Sequence, residues 1–340
     1  MIVKSLLILG VSLALSAIGV YLAIDAIKVI IVTLSLMLWG IILTTFFFNQ
    51  PKNEPVLAYA KGSKERELLS KELEKQYNQC IEIPIIINGK EIKTGNVSEV
   101  VMPTEHSHVL AKFHKADKET VQKAIESALE ARKKWENVHW IDRCSIMLRA
   151  AELLAGKYRY VINAATMLGQ GKNPFQAEID SACETIDFLH FNVHYASKIY
   201  AQQPLSDNSA INRLEYRGLE GFVYAISPFN FTSIACNLNI SPVLMGNVTV
   251  WKPATTAVLS NYYLMKILQE AGVPDGVINF VPGDGSVISD VCFSSKDLAG
   301  VHFTGSTRTF NNFWKLIGDN INNYKTYPKI VGETGGKDFI

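Results

Sequence analysis

The second half of this 340-residue chain predicts an α/β fold built on a doubly wound parallel sheet. Three observations predict it. From Gly221 onward, apolar runs of about five residues alternate with helical stretches, the pattern of repeated βα units. Those runs are Phe222–Ile226, Val248–Trp251, Val277–Val281, Val301–Phe303 and Ile330–Val331; they are mostly apolar, interrupted only by Thr249, Asn279 and His302, as suits strands covered on both faces. The segments that follow four of them, Ser227–Phe231, Trp251–Thr255, Thr304–Thr309 and Glu333–Lys337, are rich in polar residues, Gly and Pro. A parallel sheet binds its ligands at that end of its strands.

The chain opens differently. Residues 1–50 are almost wholly apolar. Ser5–Ile24 forms one run, Asp25 and Lys28 interrupt, and Val29–Phe48 forms a second. Each run is about 20 residues and, at ~1.5 Å per helical residue, spans roughly 30 Å, the thickness of a hydrocarbon core. Trp39 and Phe46–Phe48 lie where an interfacial aromatic belt would sit, and Lys4 and Lys52 flank the pair. The expectation is two transmembrane helices. The rival readings are a buried hairpin, a signal peptide, or an apolar stretch fused to an unrelated soluble protein. A signal peptide would have a shorter apolar core and a small-residue cleavage site, and a mitochondrial transit peptide would be rich in arginine, which residues 1–50 lack.

Residues 51–64, with Pro51, Pro55 and Gly62, read as a linker. Glu65–Tyr77 has charged residues around leucines 68, 69 and 73 and predicts a surface helix. Ile81–Ile87 is a strand ending at Asn88-Gly89, a hairpin-turn signal, and Val97–Met102 and Val109–Phe113 are further strands. Asp117 is an N-cap for a helix carrying Val121, Ala124, Ile125, Ala128, Leu129 and Trp135 at helical spacing. Ile141–Leu154 is the next helix, stopped by Gly156; Ala165–Lys172 and Ala177–Ile199 hold two more. In the last of these, Phe188, Phe191 and Tyr195 form a stripe that reads as core. The remaining helices are Ile234–Met245, Val258–Ala271, Ser286–Phe293 and Arg308–Ile317. The organisation expected is therefore 1–50 membrane segment, 51–64 linker, 65–215 strands and helices, and 216–340 a Rossmann-like region.

Composition narrows the function. A net charge of +1 without a basic block excludes a nucleic-acid binder. The five cysteines, Cys80, Cys144, Cys183, Cys236 and Cys292, form no CxxC pair, so neither a zinc site nor a thioredoxin centre is expected. The chemistry falls to the strand ends. Thr304-Gly305-Ser306-Thr307 follows a strand and opens a helix, where the N-terminal amides favour a phosphate. No G-x-G-x-x-G is present, and by itself a Gly-Ser pair is more often a plain turn. Lys252 has the reach to hold a ribose, against the alternative of a solvated cation. Asn230 has an amide NH₂ for an oxyanion, against that of a turn cap. Glu333, beside Gly335 and Gly336, has a carboxylate for general-base work, against that of a surface acid.

In order and spacing these segments are far more specific than singly. Ser227-Pro228-Phe229-Asn230-Phe231, Trp251-Lys252-Pro253-Ala254, Phe303-Thr304-Gly305-Ser306 and Glu333-Thr334-Gly335-Gly336-Lys337 together resemble the aldehyde dehydrogenase superfamily. Asn53–Leu57, Met167–Lys172, Gln176–Asp180 and Tyr216–Val223 narrow the resemblance to the Δ1-pyrroline-5-carboxylate dehydrogenases, from about Glu54 to Ile340. The resemblance implies an aldehyde dehydrogenase-like fold and NAD-dependent oxidation of L-glutamate γ-semialdehyde to L-glutamate in proline breakdown. It further implies a mitochondrial-matrix location and a homo-oligomer. It assigns Asn230 to the oxyanion, Glu333 to the base, Lys252 to the adenosine ribose and Ser227 to a place against the cofactor. Gly305, Ser306, Thr307, Arg308 and Thr309 become the helix start beside the pyrophosphate. Phe231 becomes a wall of the aldehyde pocket, and Glu184 faces the substrate's polar end. The family's nucleophilic cysteine follows the Glu-x-Gly-Gly-Lys motif by a few dozen residues, and residues 1–340 do not contain it; the NAD-binding domain is expected to be incomplete and this chain without turnover. The alternative is a membrane-tethered pseudoenzyme that binds NAD or a full-length subunit.

Overall fold

A computed structural model of the chain describes residues 27–34, 48 and 50–336. It divides into two units: Gln50–Ala196 with Gln203–Ile340, and Met1–Asn49 with Ser197–Gln202. In the second unit, residues 27–34 are helical and exposed. The two apolar runs expected to cross a membrane otherwise lie almost wholly outside the described residues. Among the described residues no helix is long and apolar enough to span a bilayer.

The larger unit is α/β. Its main sheet has seven strands in the order β10-β9-β6-β7-β8-β2-β3. Five of them are parallel: β6 (Phe222–Ile226), β7 (Thr249–Lys252), β8 (Ile278–Phe280), β9 (Leu298–Gly305) and β10 (Lys329–Thr334). Chain order reverses between β6 and β9, the doubly wound arrangement, and a crevice opens there. All five residues of β6 are buried, as a strand covered on both faces requires. The sequence expectation of a parallel sheet holds for these five. It does not extend to β2 (Ile85–Ile87) and β3 (Lys90–Ile92), which add to the β8 edge antiparallel. Their hairpin turns at Asn88 and Gly89, both with positive φ, 51° and 71°, as a type I′ turn demands. A separate three-stranded sheet holds β1 (Ile81–Ile83), β5 (Glu105–His114) and β4 (Val97–Met102).

Helices cover both faces. On one lie α2 (Lys118–Trp135), α8 (Gly285–Ser294) and α9 (Thr307–Asp319); on the other lies α6 (Thr232–Leu244), with α3 (Trp140–Ala155), α4 (Arg159–Gln170) and α7 (Val258–Ala271) packed around it. The first helix of this unit is α1 (Lys64–Tyr77), capped by Ser63; α2 is capped by Asp117 as the sequence indicates. After α4, Pro174–Ala177 forms one helical turn, Glu178–Cys183 is π-helical, and α5 (Glu184–Ala201) follows. The aromatic stripe expected to be core on α5 is not: Tyr195 is 54% exposed, and the buried face carries Ile186, Leu189 and Val193 instead.

The segment 51–64 has no regular structure for most of its length, yet it is tied down. Arg159, itself buried, binds Glu54, the carbonyl of Pro55 and Glu178. Glu178, 0% exposed, also accepts from the backbone of Leu57, the hydroxyl of Tyr59 at 2.6 Å and the amide of Asn163 at 2.7 Å. Its carboxylate is fully hydrogen-bonded, and although burial works against its charge, the Arg159 and Tyr59 bonds hold its pKa below the ordinary value. This network clamps residues 54–59 onto α4 and the π-helical turn.

Candidate functional site

Because β10, β9, β6 and β7 are neighbours and parallel, their C-terminal ends lie side by side. The sheet therefore brings Glu333, Gly305–Thr309, Ser227–Phe231 and Lys252 to one edge, although as many as 106 positions separate them in sequence. Alternation sorts them by face. Thr304 and its register partner Glu333 share a face with His302, whose ring bonds the Leu238 carbonyl of α6 at 3.0 Å. Phe303 points the other way, into α9.

On the α9 side the floor is aromatic. Phe303 stacks on Phe310 and meets Phe313 edge-on, and Phe313 in turn packs on Phe293 of α8, with ring centroids 4.9–5.9 Å apart. Such pairs contribute about 0.5–1.5 kcal/mol each beyond their buried area. The glycines follow from this packing. A Cβ on Gly332 would stand 2.2 Å from the Phe310 ring, and one on Gly305 2.5 Å from the Phe303 ring. Above this floor is a groove of about 390 Å³ lined by Tyr224, Ile226, Lys252, Ser286, Thr309 and Phe313, among others.

Lys252 reaches into the groove across the start of α8: its Cε would lie 3.9 Å from a Cβ on Gly285. Burial pushes its ammonium below the ordinary lysine value, and Asp284 only partly offsets this. Asp284 itself pairs with Lys115 at 3.3 Å. Ser306 is the N-cap of α9 and accepts from the Thr309 amide at 3.2 Å. Ser306, Thr307, Arg308 and Thr309 are all exposed, so the first turn of α9 is open to solvent. Thr307 also sits by the end of β10, its Oγ1 3.8 Å from a Cβ on Gly335.

Ser227 is placed differently from the other residues expected at the cofactor. It is 5% exposed and its hydroxyl accepts from the Trp251 indole at 3.1 Å, which fixes the β6–β7 edge. Asn230 is exposed, with no hydrogen bond to its side chain among the described residues, and Glu333 likewise is exposed and unpaired. Phe231 is the residue before α6, and the Lys172 ammonium lies 4.2 Å from its ring centre. Glu184 opens α5 and meets Ser233 of α6 at 2.8 Å; burial is the main cause of its raised pKa.

Residues the sequence reading did not single out complete this site. Lys172 and Asp180 form an ion pair of 2.6 Å at the start of α6, and Gly285 and Ser286 open α8 on the groove. The signal for the second pair was present in Pro282-Gly283-Asp284-Gly285, a glycine-rich turn between strand and helix. Lys172 and Asp180 each end a segment that carries the family resemblance, but nothing local in the sequence pairs them with each other or with the start of α6.

A strand-end row of this kind, with a helix N-terminus and a lysine opening on one groove, defines a doubly wound α/β protein with its crevice at the switch point of the sheet. A profile of the aldehyde dehydrogenase family matches residues 91–340, and the chain belongs to that family. The probable delta-1-pyrroline-5-carboxylate dehydrogenase of Schizosaccharomyces pombe is 52% identical over 294 residues, covering 85% of this chain and 53% of that protein. The human mitochondrial delta-1-pyrroline-5-carboxylate dehydrogenase is 49% identical over 287 residues, covering 84% of this chain and 51% of that protein. Among solved structures, the Mycobacterium tuberculosis enzyme of that name bound with NAD superposes with a TM-score of 0.85 at 48% identity, over 86% of this chain and 55% of the other. The chain spans about half the length of the curated relatives it matches.

Proposed function

We propose that this chain supplies the cofactor crevice, the oxyanion donor and the general base of an NAD-dependent L-glutamate γ-semialdehyde dehydrogenase of proline breakdown. The observation that carries the reading is the row of strand ends, which brings Glu333, Gly305–Thr309, Asn230 and Lys252 to one edge of the sheet, where Lys252 and Thr309 line a groove. The names of the relatives support the substrate and the cofactor.

The residues present fit NAD. The first-turn amides at Thr307 and Arg308 would take the pyrophosphate. The Lys252 ammonium would donate to the ribose, and the apolar side of the groove, Ile226, Phe313 and Leu316, would take the adenine. When bound, NAD supplies the hydride acceptor. Around it, the Asn230 amide donates to the aldehyde oxygen as charge builds there. The unpaired Glu333 carboxylate accepts a proton from the attacking group. Phe231 closes one side of the aldehyde pocket, with Glu184 behind it.

The reaction also needs a thiolate, and the five cysteines here do not supply one. Cys236 and Cys292 are wholly buried, and burial pushes the Cys236 thiol up to about 12 and Cys292 higher still. Cys144 and Cys183 are buried and likewise raised to about 12. Cys80 is exposed but precedes β1, in the other sheet. Residues 1–340 alone therefore bind NAD without oxidising aldehyde. Equilibrium dialysis should detect NAD binding at millimolar cofactor, and glutamate semialdehyde should give no NADH absorbance. No binding at that concentration, or turnover above background, overturns the reading. The mitochondrial relatives favour the matrix as location; the membrane tether read from residues 1–50 is a separate proposal, and alkaline extraction of the residues 1–340 from membranes would refute it.

A further inference from the structure

Asp180 lies in the π-helical turn, 1% exposed. Its two oxygens take four donors: the backbone amides of Thr232 and Ser233 at 3.2 Å each, the Ser233 hydroxyl at 3.0 Å and the Lys172 ammonium at 2.6 Å. The same Ser233 hydroxyl stands 2.8 Å from Oε2 of Glu184. A hydroxyl carries one proton. With both carboxyls ionised, that proton serves one of them, and the other faces an oxygen lone pair at hydrogen-bond distance in a partly buried place. Removing this conflict takes one more proton, held between Ser233 and a carboxyl.

The surroundings decide which carboxyl holds it. Asp180 has the ammonium of Lys172 and the positive end of α6. Glu184 pairs with no cation among the described residues; burial, the largest influence, and the like charges of Asp180 and Asp187 act against its ionisation, while the Ser233 hydrogen bond and Lys172 favour it. Asp187, one turn further along α5, accepts from the Asn53 amide and the Glu54 backbone amide. Glu178 and Glu54 are engaged by Arg159. The first turn of α6 contributes only the hydroxyls of Thr232 and Ser233.

We infer that Glu184 is held as a neutral carboxylic acid that donates to Ser233, which donates in turn to Asp180, and that this carboxyl–hydroxyl–carboxylate chain with Lys172 sets the start of α6 and so the place of Asn230 and Phe231. Glu184 is then a positioning residue acting through Ser233. Lys172 serves twice, on Asp180 and over the Phe231 ring. The consequence at Asn230 rests on the function proposed above; the hydrogen-bond chain does not.

The test needs no turnover, so its failure is distinct from a failure of that function. Residues 1–340 labelled with carbon-13 glutamate should show, by infrared spectroscopy at neutral pH, a protonated carboxyl band that Glu184→Gln removes. Absence of that band in the unsubstituted chain overturns the proposal. Amide exchange supplies the second readout. Asp180→Asn should lower the protection of the Thr232 and Ser233 amides at least tenfold while α7 keeps its protection. Glu184→Gln should stay within twofold, because its NH₂ still donates to Ser233, whereas Glu184→Ala should lose several-fold. Loss in Glu184→Gln equal to that in Asp180→Asn, or full protection in Glu184→Ala, overturns the proposal. Where a variant fails to fold, the infrared band of the unsubstituted chain decides.

Discussion

Two helices begin at neighbouring strand ends of the same sheet, and their first turns are treated in opposite ways. The start of α6, after β6, is buried and already holds an anion: Asp180 takes the amides of Thr232 and Ser233. The start of α9, after β9, is exposed; Ser306 satisfies the Thr309 amide, and Thr307 and Arg308 are left open to solvent. Both ends carry the same partial positive charge and the same unpaired amides by virtue of being helix starts. The difference lies in whether the chain supplies its own carboxylate. Where it does, the helix start becomes an anchor for the loop before it, here Asn230 and Phe231. Where it does not, the helix start is open to a phosphate.

The comparison breaks first at the closed end. Asp180→Asn leaves the Lys172 ammonium, only 16% exposed in its side chain, without a counter-charge. Removing one partner of a buried pair costs about 3–5 kcal/mol, and denaturant unfolding of residues 1–340 should show a loss of that order. A loss under about 1 kcal/mol, the scale of a surface pair, would mean that Asp180 is not an internal anion in the sense argued. At the open end the same kind of change should have two signs. Thr307→Glu places a carboxylate in the first turn of α9. It should stabilise the helix by about 0.3–1 kcal/mol, while weakening NAD about tenfold, equivalent to about 1.4 kcal/mol, by competing for the amides. Stability and affinity moving in the same direction would refute the assignment of that helix start to the pyrophosphate.

The open end was legible in the sequence and the closed end was not. Thr304–Thr309 announces itself locally: a strand, a glycine, a serine cap and a helix in continuous order. The strands β6 to β10 and the helices between them follow from the same local alternation, with boundaries within a few residues for most. The closed end depends on residues that local pattern cannot connect. Asp180 meets Ser233 across 53 positions, and Tyr59 meets Glu178 across 119. Segment 51–64 looks like a linker because its anchor, Arg159, lies on α4, a helix that starts six residues before the one drawn from the sequence. The hairpin of β2 and β3 was visible, but not its attachment to the β8 edge, since a turn signal fixes a pair of strands and says nothing of their neighbours.

A smaller effect separates the two ends by capping alone. Ser306→Ala removes the side chain that accepts from Thr309, and loss of such a cap costs about 0.5–2 kcal/mol. The first turn of α9 holds no carboxyl or histidine, so this loss should be the same at every pH. Thermal or denaturant midpoints at several pH values check it, and a pH-dependent loss would point to a hidden charge at this end.

The closed end should instead show a pH slope, and its sign follows from Glu184. Burial, the largest cause, raises the folded carboxyl above its ordinary value of 4.5. Between that value and the raised one the folded chain holds a proton that the unfolded chain has released. Stability falls with pH wherever the native state binds more protons. The contribution is therefore complete below the unfolded pKa and is lost as pH rises through the folded one. Glu178 works in the opposite direction, its pKa being lowered, but it is common to both chains when Glu184→Gln is compared with the unsubstituted protein. The difference between the two unfolding curves should therefore shift steadily in favour of Glu184→Gln as pH rises from the ordinary glutamate value. Curves that run parallel through that window would show that Glu184 titrates alike in both states, and the internal anion of α6 would then have to be held without its proton.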